Sequence, residues 1–311
     1  MKLTNLFLSL FVFLTVTLCG QSKPNIAELM GYDPNAKLLI MHADDLGVAH
    51  SVNQASIDAF EDGGITSSSI MVPCPWFSEI AAFAKAHPEY CYGLHLTLTS
   101  EWKYYKWDGV ASSGEISSLL NEHGVMYDKV IDVVENAKLE EVEKEIRAQI
   151  DKALHAGIPV SHLDSHMGTL FSTPAFFSIY VRLGKEYDLP IMVPGARIPL
   201  SWGLDSIAGP IHYPLDKLIM MGQMVPDWQK MYDDMIDQIV PGLNEIIVHL
   251  GYDDAEMQAV MVDHPNFGAE WRQKDYNYVT SDHYKQKLKD HNIHLVSWRQ
   301  VREALMAYRS N

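Results

Sequence analysis

Short apolar runs alternate with amphipathic, charge-bearing stretches along most of the chain, and the two periods predict strands followed by helices. The strand candidates are Lys37–His42 (KLLIMH), Ser68–Val72, Gly93–Leu98 (GLHLTL), Val160–Leu163, Ile191–Val193, Glu245–Leu250 and His294–Ser297. Helical patterns cover Val52–Glu61, Phe77–Ala86, Leu139–Ala156, Pro174–Tyr187, Asp227–Ile239, Ser281–His291 and Val301–Tyr308. Ser51 fits an N-cap for the first helix, and Gly157-Ile158-Pro159 stops the long amphipathic one.

Strands alternating with helices imply a parallel sheet covered by helices. Six or seven such units in a chain of 311 residues fit a (β/α) barrel, complete or incomplete and irregular, better than two domains. There is no internal repeat. Ser100–Asp128 stands outside the pattern as a long aromatic and polar insertion after the third strand, and loops of that length in a compact domain are usually functional.

The N-terminal run Leu3–Leu18, preceded by Lys2, is short for a membrane span and reads as a secretory signal; the competing reading is an uncleaved anchor helix. It ends at Cys19-Gly20-Gln21-Ser22, similar to a bacterial lipoprotein cleavage box, although Leu18 stands where a small residue is usual. The expectation is a signal over residues 1–19, a lipid anchor through Cys19, and a mature protein in the periplasm or cell envelope. A linker over 20–36 and a single catalytic barrel over 37–311 would follow. Cys74 and Cys91 would then be the thiols of the mature chain, read as buried and free rather than paired.

Composition narrows the function classes. Hydrophobic residues make up 47% and charged residues 21%, as in a globular protein. Acidic residues outnumber basic ones by 40 to 24, and a net charge of -16 disfavours nucleic acid and anionic lipid surfaces as partners. Three Cys are too few for a disulfide scaffold or a four-cysteine zinc site.

In a barrel, ligands gather at the carboxyl ends of the strands. Those positions here hold Asp44 and Asp45, His95, then His162, Asp164 and His166, and finally His249. Any one of them alone reads as a structural histidine or a turn aspartate. Converging from four strands, they point to a divalent-metal site, because imidazole and carboxylate suit such an ion and leave positions open for water and substrate. One aspartate of the pair can bind the ion while its neighbour takes a proton from water, and a further group can protonate the leaving group. That is metal-assisted hydrolysis.

His42-Ala43-Asp44-Asp45-Leu46-Gly47 with Asn53, Gly93-Leu94-His95-Leu96-Thr97 and His162-Leu163-Asp164-Ser165-His166, in that order, resemble the YdjC-like carbohydrate deacetylases, relatives of the NodB-type polysaccharide deacetylases. Glu245–His249 and the Arg272…Asp275 stretch extend the likeness toward the C-terminus. The resemblance implies a (β/α) barrel of the polysaccharide-deacetylase kind, with one divalent ion, Mg2+ or Zn2+, removing acetyl groups from an N-acetylated mono- or oligosaccharide. It implies Asp45, His95 and His166 as metal ligands, Asp44 as general base and His249 as general acid. Met167-Gly168-Thr169 and Leu250 depart from the family pattern, which has further histidines and a Pro there; both changes alter the pocket.

Softer expectations complete the site. His162 and Asp164 would orient the ligands or shape the strand end, and Arg272 would contact ligand or substrate. Trp102, Tyr104, Tyr105 and Trp107 would form a sugar-stacking platform or pack the insertion down. His50, His87, His123, His264 and His291 read as surface residues. Two other functions compete: an exported metal hydrolase of another amide or ester, and a saccharide-binding protein that has lost turnover.

Overall fold

A computed structural model of the chain describes residues 25–194, Trp202 and residues 215–310. The expected signal and Cys19 lie outside the described residues. The strands are β1 (Lys37–Leu46), β2 (Ser67–Ile70), β3 (Tyr92–Leu96), β4 (Val160–Ser165), β5 (Lys217–Met220), β6 (Gly242–Val248) and β7 (Ile293–Leu295). Every pairing among them is parallel, in the order β4-β3-β2-β1-β6-β5. β7 joins the start of β1 through Lys37, Leu38 and Leu39. The expected strand at Ile191–Val193 is reduced to one parallel bridge, Leu163 to Ile191, and the sheet curves without closing among the described residues.

The helices are α1 (Ile26–Leu29), α2 (His50–Asp62), α3 (Phe77–Ala86), α4 (Val130–Asn136), α5 (Leu139–His155), α6 (Pro174–Glu186), α7 (Trp228–Asp237), α8 (Ala255–Val260), α9 (Ala269–Val279), α10 (Asp282–Asp290) and α11 (Trp298–Arg309). Two expectations need correcting, and the helix α9 was not expected. The stretch read as linker includes α1, whose buried Ile26 and Ala27 join the core with Trp298 and Leu305. Ala49, not Ser51, occupies the N-cap of α2; the Ser51 hydroxyl lies 2.7 Å from Asp254 and Glu256 carboxylate oxygens and ties α2 to α8. The helix α9 went unread because its buried positions include Arg272 and Asp275 among Ala269, Trp271, Tyr278 and Val279, and the two charged side chains break the apolar count.

Side chains alternate across a strand, so each strand presents one set outward to the helices and one inward. On β1 the outer set, Leu39, Met41 and Ala43, shares a buried cluster with Val52, Ala55 and Ala59 of α2. The inner set starts with Leu38 and Ile40, packed with Leu243, Ile247, Trp298 and Val301. Toward the carboxyl end it becomes polar: His42 and Asp44 on β1, Ser69 on β2, His95 on β3, His162 and Asp164 on β4, Glu245 on β6, all buried. Apolar residues close the bottom of the barrel and an ionisable column rises from it.

Gly93 shows how tightly that column is packed. A Cβ there would lie 2.3 Å from the His162 ring, which stacks on Trp298 with centroids 5.1 Å apart. Gly93→Ala is expected to destabilise the fold by ~1–3 kcal/mol through overpacking. Urea unfolding measures this, and an unchanged midpoint would mean that the ring moves freely.

The insertion after β3 folds down rather than extending. Ser100 N donates to Tyr127 O at 2.8 Å, closing its base. Its middle is pinned by the buried carboxylate of Glu145 on α5, which accepts from Val110 N and Ala111 N, both at 2.9 Å.

Candidate active site

Asp44 and Asp45 are consecutive, and on a regular strand they would face opposite sides of the sheet. The β1–β2 register shifts between Ala43 and Leu46, and Asp45 takes a left-handed backbone with φ 71°. Aspartate is among the few non-glycine residues that tolerate this conformation. The irregularity brings both carboxylates to the same cavity at the carboxyl end of the barrel.

There Asp45 Oδ1 lies 3.6 Å from His95 Nε2 and 3.5 Å from His166 Nδ1. These donor atoms can converge on a single ion. Asp45 Oδ1 is buried and has no hydrogen-bond partner among the described residues. An orphaned buried carboxylate oxygen is costly, and one facing two imidazole nitrogens is what a cation would satisfy. The residues present therefore fit a divalent metal.

Each of these groups is held from behind. Asp45 Oδ2 accepts from Arg272 Nη2 at 2.7 Å, while Arg272 Nε donates to Phe267 O. Burial alone would raise the Asp45 pKa, but the Arg272 charge, joined by His166 and His249, outweighs it and holds the carboxyl well below its ordinary range. His95 Nδ1 meets Asp164 Oδ1 at 2.6 Å, turning Nε2 toward the cluster. Asp164 Oδ2 in turn meets His42 Nε2 at 3.1 Å. Burial opposes charge on His166, yet Glu101 and Asp45 raise its pKa to about 10. Sequence reasoning missed Glu101, whose carboxylate reaches His166 Nε2 at 3.1 Å; it sits inside the insertion, with no pattern to mark it.

Asp44 is oriented differently. Its Oδ1 accepts from Ser69 Oγ at 3.1 Å and lies 3.1 Å from His42 Nε2. Its Oδ2 faces the cavity, 3.8 Å from His95 Nε2 and 4.0 Å from His249 Nε2. Burial works against the charge, but His95 and His42 keep the Asp44 pKa below its ordinary value, so it is ionised at neutral pH. His249 stands across the cavity against Phe267, with ring centroids 4.8 Å apart. Burial and, after the opposing pull of Asp45, the Arg272 charge leave its pKa at about 4, so the imidazole is neutral at pH 7. Its backbone N donates to Asp275, which also accepts from Trp228, Trp271 and Tyr232.

The cavity encloses about 590 Å³ and is lined by Asp44, Asp45, His95, His166, His249 and Arg272, together with Glu101, Trp102, Phe267 and His264. His264, expected at the surface, thus belongs to the wall. His162 and Asp164 lie behind the lining: His162 Nδ1 pairs with Ser161 Oγ at 2.9 Å and its Nε2 is 3.7 Å from Asp164. The aromatic platform is only partly realised. Trp102 is buried in the wall, Trp107 and Tyr105 pack against it, and Tyr104 is 74% exposed outside the lining. Cys74 and Cys91 are both buried and free.

Fold and site together define an α/β-barrel protein with a buried Asp–His–His cluster opening into a ligand-sized pocket. The chain belongs to the YdjC-like protein family, whose pattern matches residues 38–290. It is 30% identical over 273 residues to a carbohydrate deacetylase of Brevibacillus brevis, covering 85% of this chain and 99% of that one. A carbohydrate deacetylase of Thermus thermophilus is 28% identical over 275 residues, covering 86% and 95%. A crystal structure from Enterococcus faecalis superposes with a TM-score of 0.73 at 23% identity, covering 86% of this chain and 99% of that one, a likeness of fold.

Proposed function

We propose that this protein is a metal-dependent carbohydrate deacetylase that removes the acetyl group from an N-acetylated saccharide. The observation that carries the reading is the unpartnered Asp45 Oδ1, buried between His95 Nε2 and His166 Nδ1 beneath an open pocket. The kinship with carbohydrate deacetylases of Brevibacillus brevis and Thermus thermophilus supports the substrate class.

Asp45, His95 and His166 would hold the ion. Two nitrogen donors and one oxygen suit zinc by ligand type, and magnesium is the competing choice. A divalent ion there supplies Lewis acidity, making water a better nucleophile and stabilising negative charge on the amide oxygen. Asp44 Oδ2, ionised and free to face the cavity, accepts the proton of the attacking water. Ser69 and His42 hold the other oxygen, so the base is aimed rather than mobile. His249 begins neutral, takes up a proton during turnover, and delivers it to the departing amine. Its Nε2 lies 4.0 Å from Asp44 Oδ2, which gives that proton a short path. Phe267 offers apolar ring surface for the sugar, and a cavity of about 590 Å³ accommodates a saccharide unit.

Acetate release from a panel of N-acetylated and O-acetylated saccharides tests the proposal. The expected result is release from N-acetylated oligosaccharides, lost on chelation and restored by zinc or magnesium. Release confined to O-acetylated substrates would favour the ester hydrolase. Saccharide binding without any release would favour a non-catalytic binding protein.

A further inference from the structure

We propose that Glu101 is the positioning residue for the metal ligand His166, an inference that rests on the metal-dependent reading above. His166 leaves β4 into a tight 3-10 turn in which Met167 and Gly168 both have positive φ, 52° and 66°. At such a reversal the backbone alone does not decide which imidazole nitrogen faces the cavity. Both oxygens of Glu101 lie 3.1 Å from His166 Nε2. With Nε2–H donated to that carboxylate, Nδ1 is the nitrogen left facing Asp45 Oδ1, at 3.5 Å.

His95 presents the mirror arrangement. Its Nδ1 is held by Asp164 and its Nε2 faces Asp45 Oδ1. Each histidine thus offers a different nitrogen, chosen by the carboxylate on its far side. A carboxylate in that place fixes the tautomer and raises ligand basicity.

Glu101 is itself fixed by the insertion. Its neighbour Ser100 is held through backbone N to Tyr127 O, through its carbonyl by Lys106 Nζ, and through its hydroxyl by Trp107 N. On the other side Trp102 lies buried, its ring 5.9 Å from the guanidinium of Arg272, which grips Asp45. The insertion therefore clasps the site at two points, and Glu101 supplies the polar one. A role limited to packing the loop would not distinguish between the two imidazole nitrogens.

Zinc affinity of the purified chain, measured by competition with a chromophoric chelator, tests this. Glu101→Ala is expected to weaken zinc binding ~10–100-fold. Glu101→Gln should weaken it less, since its amide oxygen still accepts from Nε2–H in an isosteric frame, and an unchanged melting temperature confirms that it folds. In the zinc-loaded parent, nitrogen-15 NMR should find the His166 proton on Nε2. Parent-like zinc affinity in both variants, or a proton on His166 Nδ1 in the loaded parent, overturns the assignment while leaving the metal site standing. A parent that binds neither zinc nor magnesium overturns the metal reading itself, and this inference with it.

Discussion

Asp44→Asn is expected to lower kcat by ~10²–10⁴-fold while the protein keeps its metal, the range that general-base help usually supplies. Asp45→Asn, one residue on, should instead lose the metal. The reasons differ although the residues are adjacent. Asp44 Oδ1 is occupied by Ser69 and His42, and its amide replacement preserves an acceptor there while removing the basic oxygen that faces the cavity. Asp45 Oδ1 is the unpartnered atom between the two imidazoles, and Asn replaces a charged donor by a neutral one. Asn also tolerates the left-handed backbone at φ 71°, so the loss would report on the lost charge and not on strain. Metal content by elemental analysis, read beside acetate release, makes the comparison. Metal loss in Asp44→Asn with retention in Asp45→Asn would reverse the two roles, and normal turnover in both would end the acid–base mechanism.

His95→Ala should leave no stoichiometric metal after dialysis, because it removes one of the converging donors outright. Asp164→Asn should weaken metal binding only ~10–100-fold, since it leaves the imidazole in place and alters the group that orients it. The 2.6 Å contact between His95 Nδ1 and Asp164 Oδ1 is what makes that smaller effect a prediction at all. Thermal unfolding of each variant separates metal loss from collapse of the buried polar column. Full metal occupancy in His95→Ala would sink the ligand assignment, and equal losses in the two variants would make Asp164 a ligand in its own right.

Much of this architecture was legible along the chain. Alternating periods located β1 to β4, β6 and β7 to within a few residues, together with α2, α3, α5, α6, α7, α10 and α11. Each is either a short apolar run or a long amphipathic stretch with clear stop signals. The strand β5 was not legible: Lys217–Met220 is only four residues long and partly exposed throughout, so neither an alternation nor a buried apolar run sets it apart. The helix α9 was missed because it buries Arg272 and Asp275 to hold Asp45 and His249, and residues that serve a site break the apolar pattern.

The same division runs through the site. By itself the sequence determined which residue types stand at the carboxyl ends of the strands, and in a parallel barrel those ends must meet, so Asp44, Asp45, His95, His166 and His249 could be named from one dimension. Only the tertiary structure decided how they meet. The left-handed turn at Asp45 follows from a shift in pairing with β2, a contact the local pattern does not encode. Glu101 and His166 are 65 positions apart, and Arg272 and Asp45 are 227 apart. Such partners are chosen by packing, because a buried charge is tolerated only where an opposing group can be brought to it. The sequence carries the chemistry, and the fold assigns each nitrogen and oxygen its direction.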